Sequence, residues 1–186
     1  MHIAFIIFNQ MTALDFVGVY DPLTRLKSMD YMPGLRWDIC SLRPKVSDDR
    51  GLQFTPDNVG QPLTNYDLVV VPGGFGSRKL QHNSEFINWL KSAGSAKKLA
   101  SVCTGALLLG AAGFLSGKLA ATHPTAREEL KPYCKKVSSQ RICDSGDVIT
   151  AGGVTAAIDL GLYLVESMKG ENVKSQISEQ MDYPFV

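Results

Sequence analysis

Cys103 stands between two runs of opposite character. Before it lies Lys97-Lys98-Leu99-Ala100-Ser101-Val102, short and strand-like, and after it Thr104 to Leu115, small and apolar with Leu107, Leu108 and Leu109 inside, which reads as a buried helix. A sharp strand-to-helix turn lifts its central side chain clear of a sheet, and Gly105 two residues on leaves room for close backbone packing. The pattern small-x-Cys-x-Gly follows the logic of the nucleophile elbow. The helix start offers free N–H groups and the positive end of its dipole. Both favour a thiolate, whose free-thiol pKa of about 8.5 falls at helix N-termini. A buried structural cysteine is the competing reading, because free Cys often behaves as a small core hydrophobe.

The elements around Cys103 decide between these readings. His2 to Phe8 is continuous and apolar, as in a strand buried on both faces of a parallel sheet. Leu14 to Met29 has helical spacing, with Pro22 predicting a kink or break and Asp15 near its start, where a carboxylate suits the dipole. Trp37 to Leu42 reads as a second strand, and Val46 to Phe54 as short edge strands around the turn Ser47-Asp48-Asp49-Arg50-Gly51. Tyr66 to Val71 is the clearest strand and runs into Pro72-Gly73-Gly74-Phe75-Gly76, with Arg78-Lys79 in a loop beyond. Ser84, a candidate cap, opens an amphipathic helix to Ala93. After the elbow come a short strand Lys118 to Thr122 and a short helix Thr125 to Leu130, whose Arg127, Glu128 and Glu129 form a solvated face. A hairpin Arg141 to Thr150 leads to a second glycine turn at Gly152-Gly153, and helices Ala156 to Met168 and Glu171 to Met181 follow.

Strands alternating with helices predict a parallel α/β sandwich. Ligands in such sheets sit at the carboxyl ends of the strands. Asp15, the Pro72–Gly76 loop, Cys103 and Gly152-Gly153 all fall on that edge, and this convergence favours the nucleophile.

Composition narrows the function classes. At 186 residues a single domain, 1–186, is expected, with 45% hydrophobic residues and a net charge of +1 from 19 basic and 18 acidic side chains. No nucleic-acid footprint stands out. No apolar run approaches the ~20 residues of a membrane helix, and the opening run lacks the features of a signal peptide. Cys40, Cys103, Cys134 and Cys143 show no C-x-x-C spacing, which argues for a reduced, cytoplasmic protein without a metal site. With neither a G-x-G-x-x-G nor a Walker motif, no cofactor is expected.

Val71-Pro72-Gly73-Gly74, Ser101-Val102-Cys103-Thr104-Gly105-Ala106, Ala121-Thr122-His123 and Thr150 to Asp159 together resemble the ThiJ/PfpI (DJ-one) superfamily over nearly the whole chain. The resemblance implies a flavodoxin-like three-layer α/β/α sandwich with a mostly parallel sheet, a reactive elbow cysteine and a homodimer with its site near the interface. Thr104 stands where the peptidase branch has His, no late His-x-Glu pair of the amidotransferases follows Cys103, and Asp15 replaces the first-helix Glu of the chaperone-like branch. Leu14-Asp15-Phe16-Val17-Gly18 and Cys103-Thr104-Gly105 are similar to isonitrile hydratase and to the sensor domains of AraC-type regulators. The sensor reading needs a helix-turn-helix for which the 186 residues leave no room.

The isonitrile hydratase resemblance implies a small-molecule substrate and a definite reaction. The Cys103 thiolate attacks the terminal carbon of R–N≡C, Asp15 supplies the proton, and water releases the N-formamide. Backbone N–H groups of Gly74 and Thr104 cradle the thiolate or the developing charge, the Thr104 hydroxyl adds a hydrogen bond, and Gly73 and Gly153 complete the binding set. His123 is a proton relay or a structural residue. The alternatives are a redox or ligand sensor whose Cys103 is oxidised, a chaperone-like protein, or a glyoxalase-like or peptidase-like member.

Overall fold

The computed structural model describes residues 1–184; the last two positions of the expected domain lie outside the described residues. The opening apolar run forms β1 (His2–Ile6), buried from Ile3 onward. Helix α1 (Ala13–Ser28) follows and is continuous through Pro22, so of the kink or break expected there the break is absent. Packing explains the difference. A Cβ on Gly161, in a later helix, would meet the Pro22 ring at 2.9 Å and the Gly18 carbonyl oxygen at 3.2 Å, so that helix presses on the turn where proline removes a hydrogen bond. Strand β2 (Arg36–Ser41) pairs in parallel with β1.

The next segment departs from expectation. β3 (Val46–Ser47) and β4 (Gln53–Phe54) pair only with each other, and β5 (Asn58–Val59) takes the sheet edge. The β3–β4 turn is tied to the loop after β1: Gln10 N donates to Ser47 O at 2.8 Å and Asp49 N to Met11 O at 2.9 Å. Strand β6 (Leu68–Val71) is wholly buried. Arg78 and Lys79 lie in a helix, α2 (Phe75–Leu80), not in a loop. Gly74 at φ 125° redirects the chain, and its carbonyl accepts from Ser77 Oγ at 2.7 Å to start the turn. Helix α3 (Ser84–Lys91) is capped by Asn83, whose side chain accepts from Phe86 N, and not by Ser84.

Strand β7 (Lys98–Val102) leads into α4 (Gly105–Ala111), which is shorter than its apolar run because Gly113 turns at φ 91°. β8 (Leu119–Ala121) stays off the main sheet; across the short helix α5 (Arg127–Leu130) it pairs in parallel with β9 (Lys136–Ser138). The expected hairpin is β10 (Ile142–Asp144) with β11 (Val148–Ala151), and α6 (Ala156–Lys169) and α7 (Glu171–Gln180) complete the chain. The main sheet has the order β10-β11-β7-β6-β1-β2-β5 and is parallel except at β10. Its five principal strands follow the doubly wound 2-1-3-4-5 order, and the sequence of strand addition switches sides between the parallel neighbours β1 and β6. Helices cover both faces, with α1 and α6 packed together on one and α4 in contact with α2, α3 and α5 on the other. Gly18 sets the α1–α6 approach: a Cβ there would lie 2.6 Å from Ala157 Cβ.

Candidate active site

Cys103 occupies the turn between β7 and α4 with φ 55°, a region that side-chain-bearing residues seldom adopt. Its neighbours over-determine that conformation. Cys103 N donates to Ala151 O at 3.0 Å, and Thr122 Oγ1 donates to Cys103 O at 2.9 Å. Gly105 is required by space, because a Cβ there would run into the carbonyl oxygens of Val71 and Pro72. The elbow expected from sequence is present. Thr122 is a positioning residue that sequence reasoning passed over, although it precedes His123 in a quoted motif.

Asp15 is fully buried beneath the elbow, so its carboxyl does more than complement a helix dipole. Oδ2 accepts from Gly73 N at 2.9 Å, while among the described residues no group donates to the buried Oδ1. The side chains acting on this carboxyl are the Cys103 thiol and, through its charge, Asp49. Burial pushes Asp15 up to about 7, against the smaller opposing pull of the Gly73 N–H and the nearby Cys103 thiol. Burial, and next the charge of Asp15, pushes Cys103 up to about 12; the N–H and hydroxyl of Thr104 and the charge of Arg78 pull the other way. The thiolate-favouring helix terminus expected from sequence is therefore outweighed: desolvation acts on the whole thiolate, whereas α4 is only seven residues long. Above about pH 7 the two groups hold one proton between them, carried by the sulfur, with the Asp15 carboxylate beside it able to accept that proton in a reaction.

Cys103 and Thr104 line a cavity of about 720 Å³ with Gly74, Phe75, Leu14 and His123. The Gly74 N–H donates to Thr104 Oγ1 at 2.9 Å, and Thr104 Oγ1 donates to Gly74 O at 3.1 Å. That pairing occupies the Gly74 donor and leaves the Thr104 N–H as the backbone group acting on the sulfur. Gly73 holds Asp15 and is not part of the cavity wall, and at the second glycine turn Val154, not Gly153, lines it. His123 reaches the cavity, but its Nδ1 is engaged by Thr125 Oγ1 at 2.8 Å. Sequence reasoning missed Asp48, Asp49, Arg50 and Arg78, which also line the cavity. The first three were visible only as a turn, and nothing local showed that this turn docks beside β1. Glu129, expected on a solvated face, pairs with Arg78 at 3.1 Å.

Gly73 offers a direct test of this geometry. A Cβ there would stand 2.5 Å from Thr104 N, 2.7 Å from Thr104 Oγ1 and 2.9 Å from Asp15 Oδ2. Gly73→Ala should lower kcat/KM by about 10²-fold through displacement of Asp15 and Thr104. A loss of about 1–3 kcal/mol in denaturant melts should accompany it. Unchanged turnover would mean that the Asp15–Gly73 contact does not set the site.

Comparison with known proteins places these features in a family. The profile of the DJ-1/PfpI family matches residues 1–167. Isonitrile hydratase of Pseudomonas putida is 35% identical over 185 residues, covering 98% of this chain and 78% of that protein. The transcriptional regulator GbdR of Pseudomonas aeruginosa is 27% identical over 97% of this chain, which spans half the regulator's length. A crystal structure of a ThiJ/PfpI family protein from Pseudomonas syringae superposes with a TM-score of 0.89 at 27% identity, covering 98% of this chain and 75% of that one. Drosophila melanogaster DJ-1beta has the same fold, with a TM-score of 0.84 at 22% identity over 99% and 98% of the two chains. Among the described residues no helix is long and apolar enough to cross a membrane.

Proposed function

This chain belongs to the DJ-1/PfpI family, and we propose that it is a cysteine-dependent enzyme that hydrates small isonitriles to N-formamides. The observation that carries this reading is a buried carboxyl, Asp15, that Gly73 holds beside the elbow, where a Cβ on Gly73 would touch both Asp15 Oδ2 and Thr104 N next to the Cys103 thiol. An isonitrile carbon must accept both a nucleophile and a proton, and Asp15 and Cys103 together store one of each. The sulfur forms a bond to the terminal carbon while Asp15 takes the thiol proton and returns it to that carbon, giving a thioimidate, R–N=CH–S–Cys103. Water then adds to the same carbon. The C–S bond breaks, the nitrogen gains a proton, and R–NH–CHO leaves with the thiol restored. The Thr104 N–H stabilises the sulfur when it is charged. The 35% identity to isonitrile hydratase supports the same assignment.

The test is turnover of a panel of isonitriles, with the N-formamide product identified and the Cys103 adduct sought by mass spectrometry. Formamide release at a steady rate supports the reading. No turnover, together with ready oxidation of Cys103, would move the protein to the sensor reading that the similarity to the regulators suggests.

We also propose that the chain forms a homodimer with the site near its interface. Phe75 and Leu14 at the cavity are 68% and 44% exposed, and Val17, one helical turn from Leu14, is 41% exposed. Light scattering at micromolar concentration should give twice the 20.3 kDa chain mass. A single-chain mass would reject the dimer without touching the chemistry.

A further inference from the structure

We propose, building on the isonitrile reading above, that Arg78 sets the substrate class: the cavity takes small isonitriles carrying a carboxylate, which binds the terminal guanidinium nitrogens while the reactive carbon meets Cys103.

Arg78 sits on α2, one turn beyond Gly74, and lines the same cavity as Cys103. Its Nε donates to Glu129 Oε1 at 3.1 Å, which anchors the planar group from behind. Among the described residues neither terminal nitrogen has a hydrogen-bond partner, and the side chain is partly exposed. A guanidinium fixed at Nε and open at both ends presents two parallel donors, the arrangement that matches a carboxylate.

The other charges on the wall are engaged within their own turn. Asp48 Oδ1 accepts from Arg50 N at 2.9 Å and Leu52 N at 2.7 Å. Asp49 accepts from Thr12 Oγ1 and from Arg50 Nη1, which engages the other cavity arginine as well. Arg50 is 72% exposed and tied, among the described residues, only to its sequence neighbour, whereas Arg78 is 33% exposed and anchored across the fold by Glu129, so Arg78 is the cavity cation held in place for a ligand. Leu14, Phe75 and Val154 supply apolar wall for the carbon chain between its two ends. The charge of Arg78 also reaches the Cys103 sulfur, so the two groups act over one small space.

The experiment compares isocyanoacetate with its methyl ester in the wild type, Arg78→Gln and Arg78→Lys. Calorimetry of the product-like N-formylglycine and its amide accompanies it. The wild type should favour the carboxylate about 10-fold or more in kcat/KM, and Arg78→Gln should erase most of that ratio through KM. Arg78→Lys, which keeps the charge and can still pair with Glu129, should retain part of it. Added salt should reduce the preference in the wild type and not in Arg78→Gln. Equal losses on acid and ester would assign Arg78 to the fold or to the thiol and overturn the proposal, as would an unchanged ratio in Arg78→Gln. Isonitriles turned over without any carboxylate preference would remove the proposal and leave the hydratase reading. Arg78-dependent binding of N-formylglycine with no isonitrile turned over would do the reverse.

Discussion

Cys103→Ala should abolish hydration of every isonitrile the protein turns over, a loss of at least about 10⁴-fold, and Cys103→Ser should be nearly as inactive. The expectation follows from chemistry and placement together. A serine hydroxyl is far less ionised and less nucleophilic than a thiol, and Asp15, at about 7, is too weak a base to change that. Neither variant should owe its inactivity to misfolding. The φ of 55° is held by Ala151 and Thr122 through the backbone of residue 103, not through its sulfur. Thermal melts should therefore stay cooperative while the mass-spectrometric adduct disappears. A Cys103→Ala protein that kept more than about a hundredth of the wild-type rate would end the covalent mechanism, because among the described residues no other sulfur lines the cavity.

Asp15→Asn should cost on the order of 10²–10⁴-fold in rate, the usual scale of general acid–base catalysis. Its pH signature is more telling than its size. Below about pH 7 both Asp15 and Cys103 are protonated, so no group is ready to accept the thiol proton. Wild-type kcat/KM should rise through about pH 7 and hold until the thiol itself titrates. In Asp15→Asn that low-pH limb should vanish. The residual rate should climb with thiol ionisation, at a pH below 12 because the repelling charge is gone.

Stability moves in the opposite direction. The folded protein raises the Asp15 pKa from 3.8 to about 7, so it binds more protons than the unfolded chain between these values and loses stability as pH rises through them. Asp15→Asn should consequently be more stable than wild type by about 2–4 kcal/mol at pH 8, and nearly equal to it at pH 4. His123→Ala should cost less than about 10-fold, since its Nδ1 is held by Thr125. Full turnover in Asp15→Asn with loss in His123→Ala would transfer the proton work to a Cys-His pair and contradict the mechanism.

Much of this site could be read from local pattern. The strand–Cys–helix junction was legible because an elbow is a short-range object: Ser101 to Gly105 carry its small residues, its nucleophile and its glycine in one stretch. The sheet class was legible because β1 from Ile3 onward and β6 are uninterrupted apolar runs, as strands covered on both faces of a parallel sheet are. Placing Asp15, Gly73-Gly74 and Cys103 on one edge needed no more than the rule for strand carboxyl ends.

What the chain left to its folding is everything that depends on distant packing. Pro22 passes without breaking α1 because Gly161 meets it from α6, a contact 139 positions away in the chain. Arg78 became helical through the positive φ of Gly74 and the Ser77 Oγ–Gly74 O hydrogen bond, and the short β3–β4 hairpin docked beside β1 through two backbone hydrogen bonds, carrying Asp48, Asp49 and Arg50 to the cavity. The protonation of the site was decided last. A helix terminus suggested a thiolate from the motif alone, yet burial and Asp15 hold the sulfur proton tightly. Desolvation is set by how many distant residues close over a group, and no window of sequence contains that number.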